Sequence, residues 1–311
     1  MTIRTHIEHV VVAGAGTMGV TLARLFAQAG SRVTLWNRRQ PSLDRAQERI
    51  AADLAALAAA GRLDEPPAAV QGRIALTTDR AVFATADFVV ENIAEDLAIK
   101  RDFFADVSAR VGEDVVLATN TSGLRVSDVA MAVRGPERFC GMHWWNPPDL
   151  IPLVEITKGD RTGDEAARLV HRLAADLGKR PVIVQKDILG IIGNRLQYAV
   201  LREALHIIAL GAAGPEEVDA AMKFGPGFRW SLLGPLETAD LGGVDIFQAV
   251  SEYLFPDLAA DRHSEVLAQL VAQGRCGLKT GAGFYDYAPG EGEAKRRWRD
   301  EMLQKQWDLH R

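Results

Sequence analysis

The sequence predicts an α/β protein, with a doubly wound sheet in its first part and an all-helical second part. One observation is the alternation of short β-branched runs with alanine-rich helical stretches over the first half of the chain. The other is that strand-like runs stop after "VIVQKD", residues 182–187. Alternating strands and helices favour a parallel sheet covered by helices on both faces.

The strands are predicted from runs rich in Val, Ile and Leu, and the first two are separated by a helix over about residues 18–29. A second helix is predicted over about residues 43–60. The predicted strands, in order, are "HVVVA" (9–13), "RVTLW" (32–36), "DFVVE" (87–91), "DVVLAT" (114–119), "RFCGM" (138–142), "IPLVEI" (151–156) and "RPVIV" (180–184).

From about residue 190 to 275 the chain has the pattern of helices interrupted by Gly and Pro, as in "KFGPGF" and "LLGPLE". We therefore place a domain boundary near residue 185, between a domain of residues 1–185 and a helical domain of residues 186–311. The stretch "EGEAKRRWRDEMLQKQW" is predicted to be a charged helix with a solvated face.

Composition excludes several classes of function. The 311 residues carry a formal net charge of −5, which argues against nucleic acid as a partner. The only cysteines, Cys140 and Cys276, provide neither a disulfide framework nor a metal-ligand cluster, and they suit a reducing cytoplasm. No signal peptide and no apolar run of membrane-spanning length are expected.

The run "VVVAGAGTMG" predicts a dinucleotide site of the Rossmann type. It provides Gly14, Gly16 and Gly19 between the first strand and the first helix, with Thr17 and Met18 inside the turn. In such a turn the glycines permit a tight bend, a close approach of backbone to pyrophosphate and tight packing of helix on strand. The free N–H groups at the helix start then face the diphosphate.

The run "VTLWNRRQ" bears on which dinucleotide binds. The second strand of such sites usually ends at an acidic residue that binds the ribose hydroxyls, but Asn37 stands here, followed by Arg38 and Arg39. Two cations without a carboxylate favour the 2′-phosphate of NADP(H). The alternative is NAD(H), with Asn37 on a ribose hydroxyl and both arginines solvated.

Four polar residues stand next to predicted strand ends or helix starts: Ser122, His143, Glu155 and Asn194. Ligands of open α/β sheets bind beyond the carboxyl ends of the strands, so Ser122 and His143 are placed for chemistry. A single histidine with a glutamate twelve positions later is equally compatible with a structural role.

Several motifs in fixed order resemble the L-3-hydroxyacyl-CoA dehydrogenase family over about residues 7–287. They are "GAGTMG", "ENIAEDLAIK", "NTSGL", "HWWNPPDLIPLVEI", "NRLQYA", "GPLETADLGGVD" and "KTGAGFYDY". The resemblance implies that Ser122, His143, Glu155 and Asn194 form the active site. It also implies cofactor contacts from Glu95, Lys100 and Asn120.

The implied reaction interconverts a 3-hydroxy and a 3-oxo group. Oxidation of a secondary alcohol needs a base on the hydroxyl, and His143 suits that role because histidine titrates near neutral pH. Glu155 would hold the imidazole tautomer, as the carboxylate of a catalytic triad does. Ser122 and Asn194 would hydrogen-bond the reacting or neighbouring oxygen.

The substrate stays open between a CoA thioester and a free 3-hydroxy acid. Some motifs are similar to 3-hydroxybutyryl-CoA dehydrogenases, and "NPPDLIPLVEI" and "NRLQYA" are similar to L-gulonate 3-dehydrogenase, also called lambda-crystallin, near which L-carnitine dehydrogenases lie. Leu189, Ile191, Trp144 and Trp145 depart from the usual family residues near the cleft, although tryptophans more commonly serve packing. A non-catalytic, crystallin-like role is the remaining alternative, and a homodimer is expected by analogy with the family.

Overall fold

The computed structural model describes residues 3–310. Within this range the chain divides into two compact units. The first unit comprises residues 3–192 together with residues 302–310, and the second comprises residues 193–301. The boundary near residue 185 stays a prediction about domain organisation.

The described part of the first unit contains eight strands and six complete α-helices, in the order expected for a doubly wound domain. The strands are β1 (His9–Ala13), β2 (Arg32–Trp36), β3 (Ile74–Thr77), β4 (Phe88–Glu91), β5 (Val116–Thr119), β6 (Phe139–Trp144), β7 (Leu153–Thr157) and β8 (Arg180–Val184). The helices are α1 (Thr17–Gln28), α2 (Gln40–Ala59), α3 (Pro67–Gly72), α4 (Leu97–Arg110), α5 (Val126–Ala130) and α6 (Asp164–Asp176).

All eight strands form one sheet in the order β3-β2-β1-β4-β5-β6-β7-β8. Its two faces are each covered by a hydrophobic core. Val10 and Val12 of β1 pack into the core on one face, and Val11 and Ala13 pack into the core on the other. A central parallel strand is buried on both sides, which explains why residues 10–13 of β1 are apolar without interruption. The predicted fold class, a Rossmann-type domain followed by a helical part, is confirmed.

The sheet departs from the parallel arrangement predicted from the sequence at one strand pair. β7 runs antiparallel to β6, whereas the neighbouring pairs β5–β6 and β7–β8 are parallel. Only residues 145–152 connect β6 to β7. A parallel connection needs a crossover of a dozen residues or more, so this short segment requires the chain to turn back. The edge strand β3 was not predicted either. It has four residues, as β4 and β5 do, but only Ile74 among them is buried, so the continuous apolar run of a central strand is not required of it.

The second unit consists of helices, and the last helix, α13, continues into residues 302–308. The helices are α7 (Gly193–Ala209), α8 (Pro215–Phe224), α9 (Pro226–Trp230), α10 (Pro235–Gly242), α11 (Val244–Leu254), α12 (Glu265–Ala272) and α13 (Glu291–Asp308). Proline at the first position of α8 and α10 suits a helix start. Within residues 3–310, no helix combines the length and the apolar character that crossing a membrane requires.

Little of the second unit is buried. Within residues 193–301, only Leu205, Thr238, Ala259 and Gly283 are buried. Large apolar side chains are instead exposed, among them Phe224 (81%), Leu236 (81%) and Leu241 (75%). Helices of globular proteins normally bury an apolar face, so this degree of exposure is unusual.

Candidate active site

The antiparallel pairing of β6 and β7 places a histidine beside a glutamate. His143 and Glu155 are directly opposite one another in the ladder. Their side chains meet at 2.8 Å, from His143 Nδ1 to Glu155 Oε2. The glutamate is fully buried and the histidine is 5% exposed. The two residues that the sequence placed twelve positions apart therefore form a hydrogen-bonded pair at the carboxyl end of β6.

Among the other groups that donate hydrogen bonds to the Glu155 carboxylate are an indole and a backbone N–H. The indole N–H of Trp145 donates to Oε2 at 3.1 Å, and the backbone N–H of Ile192 donates to Oε1 at 3.0 Å. Ile191, the residue before Ile192, has a φ of 54°, which is unusual for a β-branched side chain. A buried carboxylate needs such donors because burial otherwise disfavours its charge.

Ser122 and Asn194, the other predicted residues of the reaction site, and Asn120, a predicted cofactor contact, lie on separate elements. Ser122 is exposed and follows β5 by three positions. Asn120, also just past β5, accepts from the backbone N–H of Trp144 at 2.8 Å and donates to Asn92 Oδ1 at 2.7 Å. It thereby fixes the end of β5 to the strand that carries His143. Asn194 is the second residue of α7, in the second unit.

Glu95 is hydrogen-bonded to the turn that contains Ser122. Its Oε1 accepts from the backbone N–H groups of Ser122 (3.0 Å) and Gly123 (2.9 Å) and from the Thr121 hydroxyl. Partial burial opposes ionisation, yet these donors and the nearby Lys100 ammonium hold the pKa of Glu95 below its usual value. The loop after β4 and the loop after β5 are thus joined through one carboxylate.

Lys100 is only 1% exposed, and its closest partner is a residue that the sequence analysis missed. The ammonium lies 2.6 Å and 2.8 Å from the two carboxylate oxygens of Glu91, the last residue of β4, and 3.4 Å from Glu95 Oε2. Burial raises the pKa of Glu91 above its usual value. The Lys100 ammonium, the Thr119 hydroxyl and the Ile93 N–H favour the charged carboxylate and only partly offset this effect. The sequence did contain a signal for Glu91, since it is a charged residue at the end of the otherwise apolar strand β4.

The glycine turn fits a bound dinucleotide. Two of its glycines are required by the protein itself, because a Cβ on Gly14 would lie 2.4 Å from the Asn92 carbonyl oxygen and one on Gly19 would lie 1.8 Å from the Gly14 carbonyl oxygen. A Cβ on Gly16 would meet no heavy atom within 4 Å. The backbone at Gly16, directly before the first turn of α1, therefore remains open to a ligand, as a pyrophosphate site requires.

Three arginines lie on the elements that form the predicted nucleotide site. Arg38 and Arg39 are exposed between β2 and α2, and neither is in an ion pair with any residue that the structure describes. Asn37 donates to the Arg39 carbonyl at 3.2 Å. Arg49, which the sequence analysis did not single out, donates to the Thr17 hydroxyl at 3.4 Å, so that a cation also stands beside the first residue of α1.

This combination of a Rossmann-type sheet, a glycine turn that leaves space for a ligand and a histidine–carboxylate pair defines a dinucleotide-binding oxidoreductase. Within residues 3–310, no group of three or more His, Cys, Asp or Glu side chains is arranged to hold a metal ion.

Comparison with protein-family models identifies the family. Residues 9–188 match the NAD-binding domain of 3-hydroxyacyl-CoA dehydrogenase, and residues 190–287 match its C-terminal domain. The chain belongs to the 3-hydroxyacyl-CoA dehydrogenase family, as the sequence motifs predicted, and it is an oxidoreductase of that type.

Two relatives represent different substrates. A probable 3-hydroxybutyryl-CoA dehydrogenase of Deinococcus radiodurans is 39% identical, over 89% of this chain and 99% of the relative. A 5-formyl-3-hydroxy-2-methylpyridine 4-carboxylate 5-dehydrogenase of Mesorhizobium japonicum is 31% identical, over 96% of both chains. A crystal structure of an enzyme of the second activity, described as an NAD⁺-dependent dismutase, superposes with a TM-score of 0.88 at 30% identity, over 96% of this chain and 97% of that one.

Proposed function

We propose that the protein interconverts a 3-hydroxy and a 3-oxo group, with His143 as the general base and acid. The observation that carries this proposal is the 2.8 Å contact between His143 Nδ1 and the buried Glu155 carboxylate. With Nδ1 engaged by the carboxylate, Nε2 is the ring nitrogen left to accept the hydroxyl proton of a substrate. A bound nicotinamide would supply the hydride acceptor.

Glu155 has two tasks in this proposal. It selects the imidazole tautomer with the proton on Nδ1, and it stabilises the imidazolium that forms when Nε2 takes the hydroxyl proton. In the reverse direction the imidazolium returns that proton to the 3-oxo oxygen. Ser122 and Asn194 would donate to the reacting oxygen or to the neighbouring carbonyl as charge develops there.

The test is the variant His143→Ala. We expect turnover to fall by at least about a hundredfold, because general acid–base catalysis contributes about that much or more. Binding of NADH or NADPH, followed by nucleotide fluorescence, should be retained, since His143 lies outside the glycine turn. Full activity in the variant would refute the assigned role of His143.

A 3-hydroxyacyl-CoA is the leading substrate class, in line with the Deinococcus relative and the family-model match. A free acid is the second candidate, and it is consistent with the similarity to the pyridine-carboxylate enzyme, whose named substrate is a carboxylate without CoA. Following absorbance at 340 nm with acetoacetyl-CoA, gulonate and carnitine, with both cofactors, separates the two classes. No absorbance change with any 3-hydroxy or 3-oxo compound would favour the non-catalytic role.

The cofactor is a nicotinamide dinucleotide, and we propose a preference for NADP(H). The support is the exposed pair Arg38 and Arg39 directly after β2, where an acidic residue would repel a 2′-phosphate and Asn37 does not. The proposed compartment is the cytoplasm, in keeping with the free thiols of Cys140 and Cys276.

We also propose that the protein is a homodimer that associates through its helical unit. The support is the scarcity of buried residues within 193–301 and the exposed apolar side chains of that unit, which include Leu232 and Phe255 at 71% each. A second copy offers the same apolar surface, and a two-fold interface is built from the same patch on both subunits.

A further inference from the structure

Two adjacent tryptophans follow His143, and their indole N–H groups have opposite environments. The Trp145 N–H donates to Glu155 Oε2 at 3.1 Å. The Trp144 N–H is buried and has no hydrogen-bond partner within the described part of the chain. Only one of the two indoles is therefore connected to the histidine–carboxylate pair.

The Trp145 indole reaches the same oxygen as His143. Glu155 Oε2 accepts from His143 Nδ1 at 2.8 Å and from Trp145 Nε1 at 3.1 Å, and Oε1 accepts from the Ile192 N–H at 3.0 Å. The rings of Trp145 and His143 lie 5.8 Å apart between centroids, at an interplanar angle of 57°. The indole is thus next to the imidazole and also bonded to the partner of the imidazole.

A glutamate carboxylate rotates easily about its last bond, because that torsion has a broad energy profile. Donors at fixed positions on both oxygens remove this freedom. The His143 N–H alone is a poor anchor for the carboxylate, because the protonation state of the imidazole changes during proton transfer. An indole N–H is a donor only and does not titrate in the working range, so it holds Oε2 in either protonation state of His143.

We propose that Trp145 is a positioning residue, whose indole N–H keeps the Glu155 carboxylate directed at His143 Nδ1 throughout the catalytic cycle. This inference rests on the proposed function of the His143–Glu155 pair. It assigns to Trp145 a hydrogen-bonding role that a phenylalanine in the same place could not perform.

The kinetic test compares Trp145→Phe with its neighbour Trp144→Phe. Each variant removes an indole N–H and retains an aromatic ring. We expect Trp145→Phe to lower kcat about tenfold, as expected for loss of one hydrogen bond to a charged group, with the KM for cofactor within about twofold of wild type. Trp144→Phe loses core packing and some stability but keeps kcat within about twofold. An unchanged kcat in Trp145→Phe, or an equal loss in Trp144→Phe, would overturn the proposal.

A spectroscopic test separates this proposal from the assignment of the reaction. In the ¹H–¹⁵N spectrum of the labelled protein without substrate, the Trp145 indole resonance is assigned by its disappearance in Trp145→Phe. We expect it downfield of an unbonded indole and shifted upfield in Glu155→Gln, where a neutral amide replaces the carboxylate. The Trp144 resonance should shift far less. A Trp145 resonance that does not move in Glu155→Gln disproves the hydrogen bond, whatever substrate the enzyme uses.

Discussion

The proposed preference for NADP(H) depends on three side chains that follow β2. Arg38 and Arg39 are exposed and in no ion pair with the described residues, so their charges are available to an anionic ligand. Asn37, whose amide donates to the Arg39 carbonyl, leaves the site without the negative charge that would repel a 2′-phosphate. Their location directly after β2 is where a Rossmann-type fold binds the adenosine ribose.

The paired substitution Arg38→Ala and Arg39→Ala tests this interpretation. We expect the ratio of kcat/KM for NADPH over NADH to fall by about tenfold or more, because the phosphate loses charge-assisted hydrogen bonds. The kcat/KM for NADH should change little and serves as the internal control. A ratio unaffected by the double substitution would mean that both arginines are only solvated.

The sequence identified candidate residues of the site, but it did not identify their hydrogen-bond and ion-pair partners. Lys100 was expected at the cofactor through the family resemblance, and the structure places its ammonium against Glu91 in the interior. The sequence did not distinguish Trp144 from Trp145, yet only the Trp145 indole donates to Glu155. Such pairings depend on side-chain direction and on contacts across strands, which spacing along one chain does not specify.

At the scale of elements, the predicted strands and the glycine turn correspond closely to β1, α1 and β2. Apolar runs of this length, bounded by Gly and charged residues, have few other interpretations. The direction of β7 was missed because an apolar run is the same in a parallel and in an antiparallel strand. The information was in the spacing, since the eight residues between the predicted strands 138–142 and 151–156 are too few for a parallel crossover. That direction matters most for the site, since it puts His143 opposite Glu155.

The strand–turn–helix element allows a matched pair of glycine substitutions. Gly14→Ala places a methyl group against the Asn92 carbonyl at a φ of +106°, so we expect a loss of about 2 kcal/mol or more of unfolding free energy. Gly16→Ala meets no protein atom within 4 Å, and its φ of −82° suits alanine. It should keep its melting temperature and bind dinucleotide at least about tenfold more weakly. Equal dinucleotide affinity in Gly16→Ala and wild type would contradict the assigned pyrophosphate site.

At the scale of the whole molecule, the two units differ in how much apolar surface each one buries. The first has a core on each face of its sheet, whereas the second leaves residues such as Phe224 and Leu236 more than four-fifths exposed. Exposed apolar surface of this kind is costly in water. The sequence indicated an apolar helical part, but a pattern of apolar positions does not say whether they face the same chain or another one.

The expected assembly is a dimer of two 33.8 kDa chains. Sedimentation velocity at micromolar concentration should give twice the mass of one chain. Replacing Phe224 and Leu236 with aspartate should shift the protein toward the mass of a single chain, because charges on this surface oppose its burial. A wild-type protein that sediments as a single chain throughout the micromolar range would rule out the homodimer.

The central claim is that His143 and Glu155 act as one catalytic unit, and a double-mutant cycle on kcat tests it most directly. His143→Asn should lower kcat by about a hundredfold or more, and Glu155→Gln should also lower it substantially. Because the carboxylate acts only through the imidazole, the double variant should be no slower than His143→Asn to within about threefold. If the two losses instead multiply in the double variant, the residues act independently and the proposed mechanism is wrong.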